Sequence, residues 1–392
     1  MKFANRMERM KSSEIRELLK LTAQPDIISF AGGLPAPELF PVEGIAKVSH
    51  DLVMSEGRQL LQYATTEGRP TLRAKIAKRM ADKYHTEVAV DDILITTGSQ
   101  QCLDFVGKLF LNPGDVVLCE SPSYLGALNA FNAYEPTFVE VPTDNGGLIP
   151  EELDKILAST PNCKFIYVIP DFQNPTGRTW SMERREKFME VVNKYNLPVV
   201  EDNPYGELRY EGVILPSLKS MDTKGLVMFL GTFSKIFCPG LRLGWIAAEH
   251  SLLQEFIKIK QSADLHTSNF DQGVADAFMD AYDLDAHVEK IVALYKHRRD
   301  LILKSMEEEF PAGTEWTHPE GGLFLWLTFP EGVSARKVFA KCIEMKVAGV
   351  IGDAFYPNQK TDRSMRINFS NMPDEKIVEG IKRMGKAIRE SM

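Results

Sequence analysis

A lysine flanked by hydroxyl side chains is the feature of this sequence best suited to chemistry. The stretch LGTFSKIFCPGLRLGW (230–245) places Lys235 beside Thr232 and Ser234 and reaches Arg242 after a Pro-Gly turn. A buried amine near another cation loses basicity and can act as a nucleophile or form a Schiff base. Arginine suits bidentate binding of a phosphate. A solvated surface lysine is the alternative, but the neighbouring hydroxyls and the arginine argue against it.

The apolar run before Lys235 is one of several that alternate with helical patterns, such as CLDFVGKLF and RREKFMEVVNKY. The runs are continuous rather than alternating, which is typical of strands buried on both faces of a mostly parallel sheet. We predict strands at 92–96, 116–120, 165–170, 226–231 and 243–248, and one within 198–205.

Polar residues follow five of these runs, in the segments TTGSQQ, SPSY, DFQNPTG, EDNPYGE and GTFSK. Ligands of parallel α/β sheets bind beyond the carboxyl ends of the strands. A Gly-Ser turn that opens a helix offers Ser99 and free N–H groups to a phosphate, although Ser99 as an ordinary N-cap is an open alternative. Because the chain lacks G-x-G-x-x-G and P-loop motifs, a single phosphate fits better than a dinucleotide or a nucleoside triphosphate.

Two further polar residues complete the candidate site. Asp202 in EDNPY is either part of a turn or a buried carboxylate that requires a cationic partner such as a ring nitrogen. Asn174 in QNPTG is either part of a plain turn or a hydrogen-bond partner for a ligand oxygen. With Lys235, the set implies one phosphate, one ring nitrogen and one aldehyde, which together are the parts of pyridoxal 5′-phosphate.

Over essentially its whole length the sequence resembles the fold-type I pyridoxal-phosphate aminotransferases of class I/II, in particular the α-aminoadipate and kynurenine branch. The segments that carry the resemblance are IRELLKL, ISFAGGLPAPELFP, LQYATTEG, ILITTGSQQ, SPSY, QNPTG, EDNPY, GTFSK, GLRLGW and SMRINF. The resemblance implies a three-layer α/β sandwich with a mostly parallel seven-stranded sheet. A smaller α+β domain is expected beside it.

The resemblance also implies roles for individual residues around the cofactor. Lys235 would form the Schiff base and then move a proton between substrate and cofactor, and Asp202 would pair with the ring nitrogen. Tyr124 would stack on the ring, and Asn174 and Tyr205 would contact its 3-oxygen. The phosphate would be held by Ser99, Gln100, Thr232, Ser234, Arg242 and, from the neighbouring subunit of a homodimer, Tyr63.

Substrate recognition rests on three further residues. Arg366 would bind the α-carboxylate, although without the resemblance it could equally be an arginine at a strand edge. Gly33, in SFAGG, would lie near the substrate. Arg16 lies on a predicted amphipathic helix at 12–21 and would meet a distal carboxylate, so glutamate or 2-aminoadipate are candidate amino donors beside aromatic and branched-chain amino acids. The alternative for Arg16 is a flanking surface arginine.

The bulk properties agree with an enzyme in a reducing compartment. The 392 residues carry a net charge of −8, five cysteines without C-x-x-C spacing, and no signal-like or membrane-length apolar run. We therefore expect a cytoplasmic protein without a metal site, and no nucleic-acid or membrane partner. We expect an N-terminal arm at 1–40, a large cofactor domain at 41–285 and a small domain at 286–392.

Three other classes of protein share parts of this sequence pattern. Another fold-type I pyridoxal-phosphate enzyme, such as a C–S lyase or a decarboxylase, would share the cofactor site. A ligand sensor fused to a winged helix is disfavoured, because only about 40 residues precede the sheet and no such module fits there. A Schiff-base aldolase without a cofactor would leave the phosphate and ring-nitrogen partners unused.

Overall fold

The computed structural model of the chain describes residues 1–8, 26–358 and 362–392. The predicted helix at 12–21, and Arg16 with it, lies outside these residues.

Fifteen strands are present in the described parts of the chain. They are β1 (Ile28–Ser29), β2 (Ile93–Thr96), β3 (Val116–Glu120), β4 (Thr137–Val141), β5 (Thr143–Asp144), β6 (Gly147–Leu148), β7 (Cys163–Val168), β8 (Val199–Asp202), β9 (Val227–Thr232), β10 (Gly244–Ala247), β11 (Glu315–Trp316), β12 (Phe324–Thr328), β13 (Val347–Ala348), β14 (Val350–Ile351) and β15 (Ser364–Asn368).

Eleven α-helices accompany these strands within the same described ranges. They are α1 (Val42–Leu60), α2 (Pro70–Tyr84), α3 (Ser99–Phe110), α4 (Leu125–Asn132), α5 (Pro150–Ser159), α6 (Met182–Tyr195), α7 (His250–Ala263), α8 (Asn269–Ala281), α9 (Leu284–Glu309), α10 (Ala335–Glu344) and α11 (Asp374–Arg389).

The main sheet has seven strands in the order β2-β10-β9-β8-β7-β3-β4. Strand β10 runs antiparallel to both of its neighbours, and the other pairs are parallel. All six predicted strands lie in this sheet, which confirms the predicted fold class. The apolar-run criterion missed β4, because this edge strand carries an exposed Thr137 and a half-buried Glu140.

Both faces of the main sheet are covered by apolar side chains. In β3, Val117 and Cys119 belong to one buried cluster, and Leu118 between them belongs to a second cluster with Phe188 of α6. Alternate residues of a strand point to opposite faces, so the two clusters are the two helix–sheet interfaces of a three-layer sandwich. The continuous apolar runs in the sequence follow from this two-sided burial.

A second, antiparallel sheet of four strands has the order β11-β12-β15-β14. The apolar runs GGLFLWLTF and SMRINFS supply its central strands, β12 and β15. Strand β1 pairs with β13, so residues 28–29 join the C-terminal part of the chain. The long helix α9 begins at Leu284, and the boundaries near residues 40 and 286 remain a prediction. None of the helices in the described ranges is long and apolar enough to cross a membrane.

Candidate active site

One cavity of about 380 Å³ lies where the carboxyl ends of the parallel strands face β12 and β15. It is lined by twelve of the fourteen residues that the sequence singled out. These are Gly33, Ser99, Gln100, Tyr124, Asn174, Asp202, Tyr205, Thr232, Ser234, Lys235, Arg242 and Arg366. The structure thus brings these residues together, while their individual roles remain predictions.

Lys235 lies three residues beyond the end of β9 and lines this cavity. Its Nζ donates a hydrogen bond to the backbone oxygen of Gly33 over 2.8 Å. Desolvation, followed by the positive charges of Arg242 and Arg366, lowers the pKa of Lys235 to about 8. The neutral form of this amine is therefore more accessible near neutral pH than that of an ordinary lysine. A neutral amine can attack a carbonyl carbon or accept a proton from carbon.

Asp202 is the last residue of β8 and is only 2% exposed. Its Oδ2 accepts a hydrogen bond of 2.8 Å from the hydroxyl of Tyr167, and its buried Oδ1 has no partner within residues 1–8, 26–358 and 362–392. Burial raises the pKa of Asp202 to about 7, and the hydrogen bond from Tyr167 opposes this shift. An unpartnered buried carboxylate oxygen is costly unless a cation or a donor meets it. The geometry therefore fits a protonated ring nitrogen opposite Oδ1.

The start of α3 forms a corner of the cavity that is suited to an anion. Gly98 is the N-cap, and no side chain caps the helix, so Ser99 as an ordinary N-cap is ruled out. A Cβ on Gly98, at φ +76°, would lie 2.4 Å from Nη2 of Arg242. Glycine at this position lets the guanidinium lie against the helix N-terminus, where free N–H groups and the helix dipole favour a phosphate.

Hydroxyl groups border the same corner. Thr232 donates to Ser234 Oγ over 3.0 Å, and the backbone N–H of Ser234 donates to the Thr232 hydroxyl oxygen over 3.1 Å. These bonds hold the two hydroxyls side by side immediately before Lys235. The side chain of Gln100 instead donates to the backbone oxygen of Gly126 over 3.0 Å. The backbone N–H of Gln100, in the first turn of α3, remains suited to a phosphate contact.

Arg366 of β15 faces the cavity from the second sheet and is 5% exposed. Its Nη1 donates to Asn174 Oδ1 over 2.8 Å, and its Nη2 donates to the backbone oxygen of Ala31 over 2.6 Å. Its guanidinium lies 4.3 Å from the ring centre of Phe324 and 4.9 Å from that of Phe355. Burial lowers the pKa of Arg366 to about 10. Within the described residues it forms no ion pair with a carboxylate, so it suits the carboxylate of a substrate.

Two tyrosines border the cavity between these groups. Asn174 Nδ2 donates to the Tyr205 hydroxyl over 3.5 Å, a long bond, and Tyr205 is buried. Tyr124 directly precedes α4, and a Cβ on Gly126 would lie 2.4 Å from the Tyr124 ring. The absence of a side chain at Gly126 therefore lets the Tyr124 ring fold back over the start of α4 while it still lines the cavity.

Two predicted residues stand apart from this set. Tyr63 is 79% exposed, does not line the cavity, and meets His266 edge-to-face with the ring centres 5.9 Å apart. An exposed position in one subunit is compatible with a contact to a second subunit. The prediction for Arg16 falls outside the described residues, as stated above.

Sequence reasoning missed the side chains that support the polar groups of the site. Tyr167 was included only as part of an apolar strand, and Phe324 and Phe355 were not considered. The one available signal for Tyr167 was a hydroxyl within an otherwise aliphatic run, FIYVIP. The two phenylalanines gave no signal, because their contact with Arg366 depends on how β12 and the 352–355 turn pack.

The residues that line the cavity fit pyridoxal 5′-phosphate by their chemistry and burial. One cavity contains an unpartnered carboxylate oxygen, a lysine amine of lowered pKa, and a helix N-terminus with an arginine. These groups match the ring nitrogen, the aldehyde and the phosphate of that molecule in turn.

Comparison with known proteins settles the family. The family model described as aminotransferase class I and II matches residues 25–384. The chain belongs to this family. The aminotransferase is 46% identical to aromatic-amino-acid aminotransferase 1 of Thermococcus litoralis, over 100% of this chain and 94% of that protein.

Solved structures give the same result for the fold and the cofactor. Kynurenine aminotransferase of Pyrococcus horikoshii, in complex with PMP, matches with a TM-score of 0.95, 43% identity, and coverage of 100% of this chain and 97% of its own. The α-aminoadipate aminotransferase LysN of Thermus thermophilus, complexed with N-(5′-phosphopyridoxyl)-L-leucine, matches with a TM-score of 0.92 and 37% identity. The match covers 99% of this chain and 97% of LysN. The aminotransferase is therefore a pyridoxal-phosphate enzyme, and these relatives favour transamination over the lyase or decarboxylase alternative.

The lowered pKa of Lys235 makes a measurable prediction. In the cofactor-free aminotransferase, arylation of Lys235 by fluorodinitrobenzene, followed by peptide mass spectrometry, should have a midpoint near pH 8. Arg242→Gln should raise this midpoint, because it removes a positive charge that disfavours the protonated amine. Lys194 is the internal control, since its hydrogen bond to Asp154 raises its pKa. Equal midpoints for Lys235 and Lys194 would contradict the assignment.

Proposed function

We propose that this aminotransferase transfers the amino group of an L-amino acid to a 2-oxo acid by a ping-pong reaction, with Lys235 as the proton carrier. Candidate amino donors are glutamate, 2-aminoadipate, and aromatic or branched-chain amino acids. The observation that carries the proposal is that one cavity contains the Lys235 amine, the unpartnered Oδ1 of Asp202 and the buried Arg366. The names of the relatives, which include aromatic and α-aminoadipate activities, support the choice of donors.

When bound, pyridoxal phosphate accepts the electron pair that the substrate Cα–H bond releases. The residues of the chain supply the rest of the chemistry. Nζ of Lys235 takes the proton from Cα and later returns one, which its lowered pKa permits. Asp202, when ionised, would keep the ring nitrogen of the cofactor protonated through Oδ1. Both half-reactions use the same groups, so the first product leaves before the second substrate enters.

Arg366 orients the substrate in this scheme. Its guanidinium is held by Asn174 and Ala31 and lies between two aromatic rings, so its position is fixed before a ligand arrives. A substrate α-carboxylate that pairs with it would bring the substrate Cα into the cavity that Lys235 also lines. Gly33 accepts the hydrogen bond from Lys235 and lies close to Phe324, where a Cβ would approach to 2.9 Å.

A homodimer is part of the proposal. Apolar side chains are exposed along and just beyond α1, with Met54 at 73%, Leu61 at 72% and Tyr63 at 79%. Exposed apolar residues grouped in this way are typical of an interaction surface. We place Tyr63 of one subunit at the phosphate of the other. Localisation of the enzyme in the cytoplasm remains a prediction. It is supported by the five cysteines, which all carry free thiols.

A half-reaction tests the proposed function. The purified enzyme, mixed with glutamate alone, should lose the visible absorbance of its lysine-bound cofactor and gain that of the pyridoxamine form. Lys235→Ala should lack the lysine-bound absorbance and lose at least about 10³-fold in kcat, because it removes both the Schiff-base amine and the proton carrier. Retention of the visible spectrum in Lys235→Ala, or no spectral change with any amino acid in the wild type, would contradict the proposal.

Substitution of Arg16 tests whether the enzyme prefers substrates with an acidic side chain. If its guanidinium meets the distal carboxylate, Arg16→Ala should raise the KM for glutamate and 2-oxoglutarate by about tenfold, with little effect on an aromatic donor. Arg6→Ala, an exposed arginine nearby in sequence, is the matched control. Equal KM values for glutamate in wild type and Arg16→Ala would exclude this contact, and a panel of amino donors would then identify the preferred side chain.

A further inference from the structure

The hydrogen bond between Tyr167 and Asp202 connects two neighbouring strands beneath the cavity. Tyr167 lies on β7 and is fully buried, and Asp202 ends the parallel neighbour β8. The Tyr167 hydroxyl donates to Oδ2 of Asp202 over 2.8 Å, whereas Oδ1 has no hydrogen-bond partner in the part of the chain that the structure describes. One oxygen of the carboxylate is thus fixed by the protein, and the other is left for a ligand.

No other side chain in the described parts of the chain donates a hydrogen bond to Asp202. The titratable groups near it are Tyr167 of β7, Cys102 of α3, Tyr124 before α4, and Tyr205 of the loop after β8. None of these groups is a cation. In the absence of Tyr167, therefore, neither the rotation nor the ionisation of the buried carboxylate would be supported by a protein group.

We propose that Tyr167 is a positioning residue that fixes Asp202 through Oδ2, so that Oδ1 faces the ring nitrogen of the cofactor. This inference rests on the proposed pairing of Asp202 with that nitrogen. The plainer explanation is that Tyr167 only fills space, since its ring meets Phe131 edge-to-face at 5.8 Å. Tyr167→Phe separates the two explanations, because phenylalanine keeps the ring and removes only the hydroxyl.

The matched control is a second tyrosine–aspartate pair outside the cavity. The Tyr134 hydroxyl donates to Asp104 Oδ1 over 2.9 Å at the surface. Tyr134→Phe removes the same kind of hydrogen bond and should leave cofactor affinity and kcat at wild-type values.

The first experiment measures the affinity of the cofactor-free protein for pyridoxal phosphate by fluorescence titration. Tyr167→Phe should bind about tenfold more weakly than wild type, and kcat should fall more than KM changes. In an Asp202→Asn background, Tyr167→Phe should have no further effect, since the group that it positions is no longer a carboxylate. Wild-type affinity in Tyr167→Phe, or equal losses in both backgrounds, would overturn the inference.

A second experiment reads the carboxylate directly. In the cofactor-free protein, ¹³C NMR should show the Asp202 carboxyl titrating about one pH unit higher in Tyr167→Phe than in wild type, because the lost hydrogen bond favours the ionised form. If Tyr167→Phe does not fold, the same titration of the wild-type protein tests the inference by itself. The Tyr167 Cζ resonance should then follow the Asp202 titration, and independence of the two signals would overturn the inference.

The two proposals can fail separately. If wild type binds pyridoxal phosphate and Asp202→Asn weakens binding while Tyr167→Phe does not, the cofactor site stands and the positioning role is wrong. If Asp202→Asn also leaves affinity unchanged, the pairing of Asp202 with the ring nitrogen is itself wrong.

Discussion

The buried carboxylate of Asp202 is the constraint on which the site depends. One of its oxygens is satisfied by Tyr167, and the other has no hydrogen-bond partner among the residues that the structure describes. An anion in this position is tolerated only when a cation or a proton meets it. We therefore expect the free oxygen of Asp202, at the end of β8, to gain its partner when a ligand with a protonated nitrogen binds.

The cationic side chains of the cavity likewise need partners of opposite charge. Arg242 lies at a helix N-terminus, Arg366 is buried without a carboxylate partner among the described residues, and Lys235 has its pKa lowered partly by both arginines. In the proposed function, a cofactor phosphate and a substrate carboxylate would supply the anions that these cations need. The arginines also keep a fraction of Lys235 neutral, so anion binding and proton transfer share one arrangement of charges.

The sequence was most informative where burial was uniform. Continuous apolar runs located six strands of the main sheet, and the polar residues that follow them located the cavity, because the carboxyl ends of parallel strands meet at one edge. The edge strand β4 was missed, since its polar side chains break the apolar pattern. Tyr167 and Phe324 were missed for another reason. Their roles depend on which strands and turns become neighbours, and a one-dimensional pattern does not contain that information.

The central claim is that Lys235 is the residue that binds the cofactor covalently. The most direct measurement is reduction of the purified holoenzyme with sodium borohydride, followed by proteolysis and peptide mass spectrometry. We expect one phosphopyridoxyl group per chain, on the peptide that contains Lys235. Recovery of the label on another lysine, such as the buried Lys260, or of no labelled peptide from an enzyme that contains the cofactor, would contradict it.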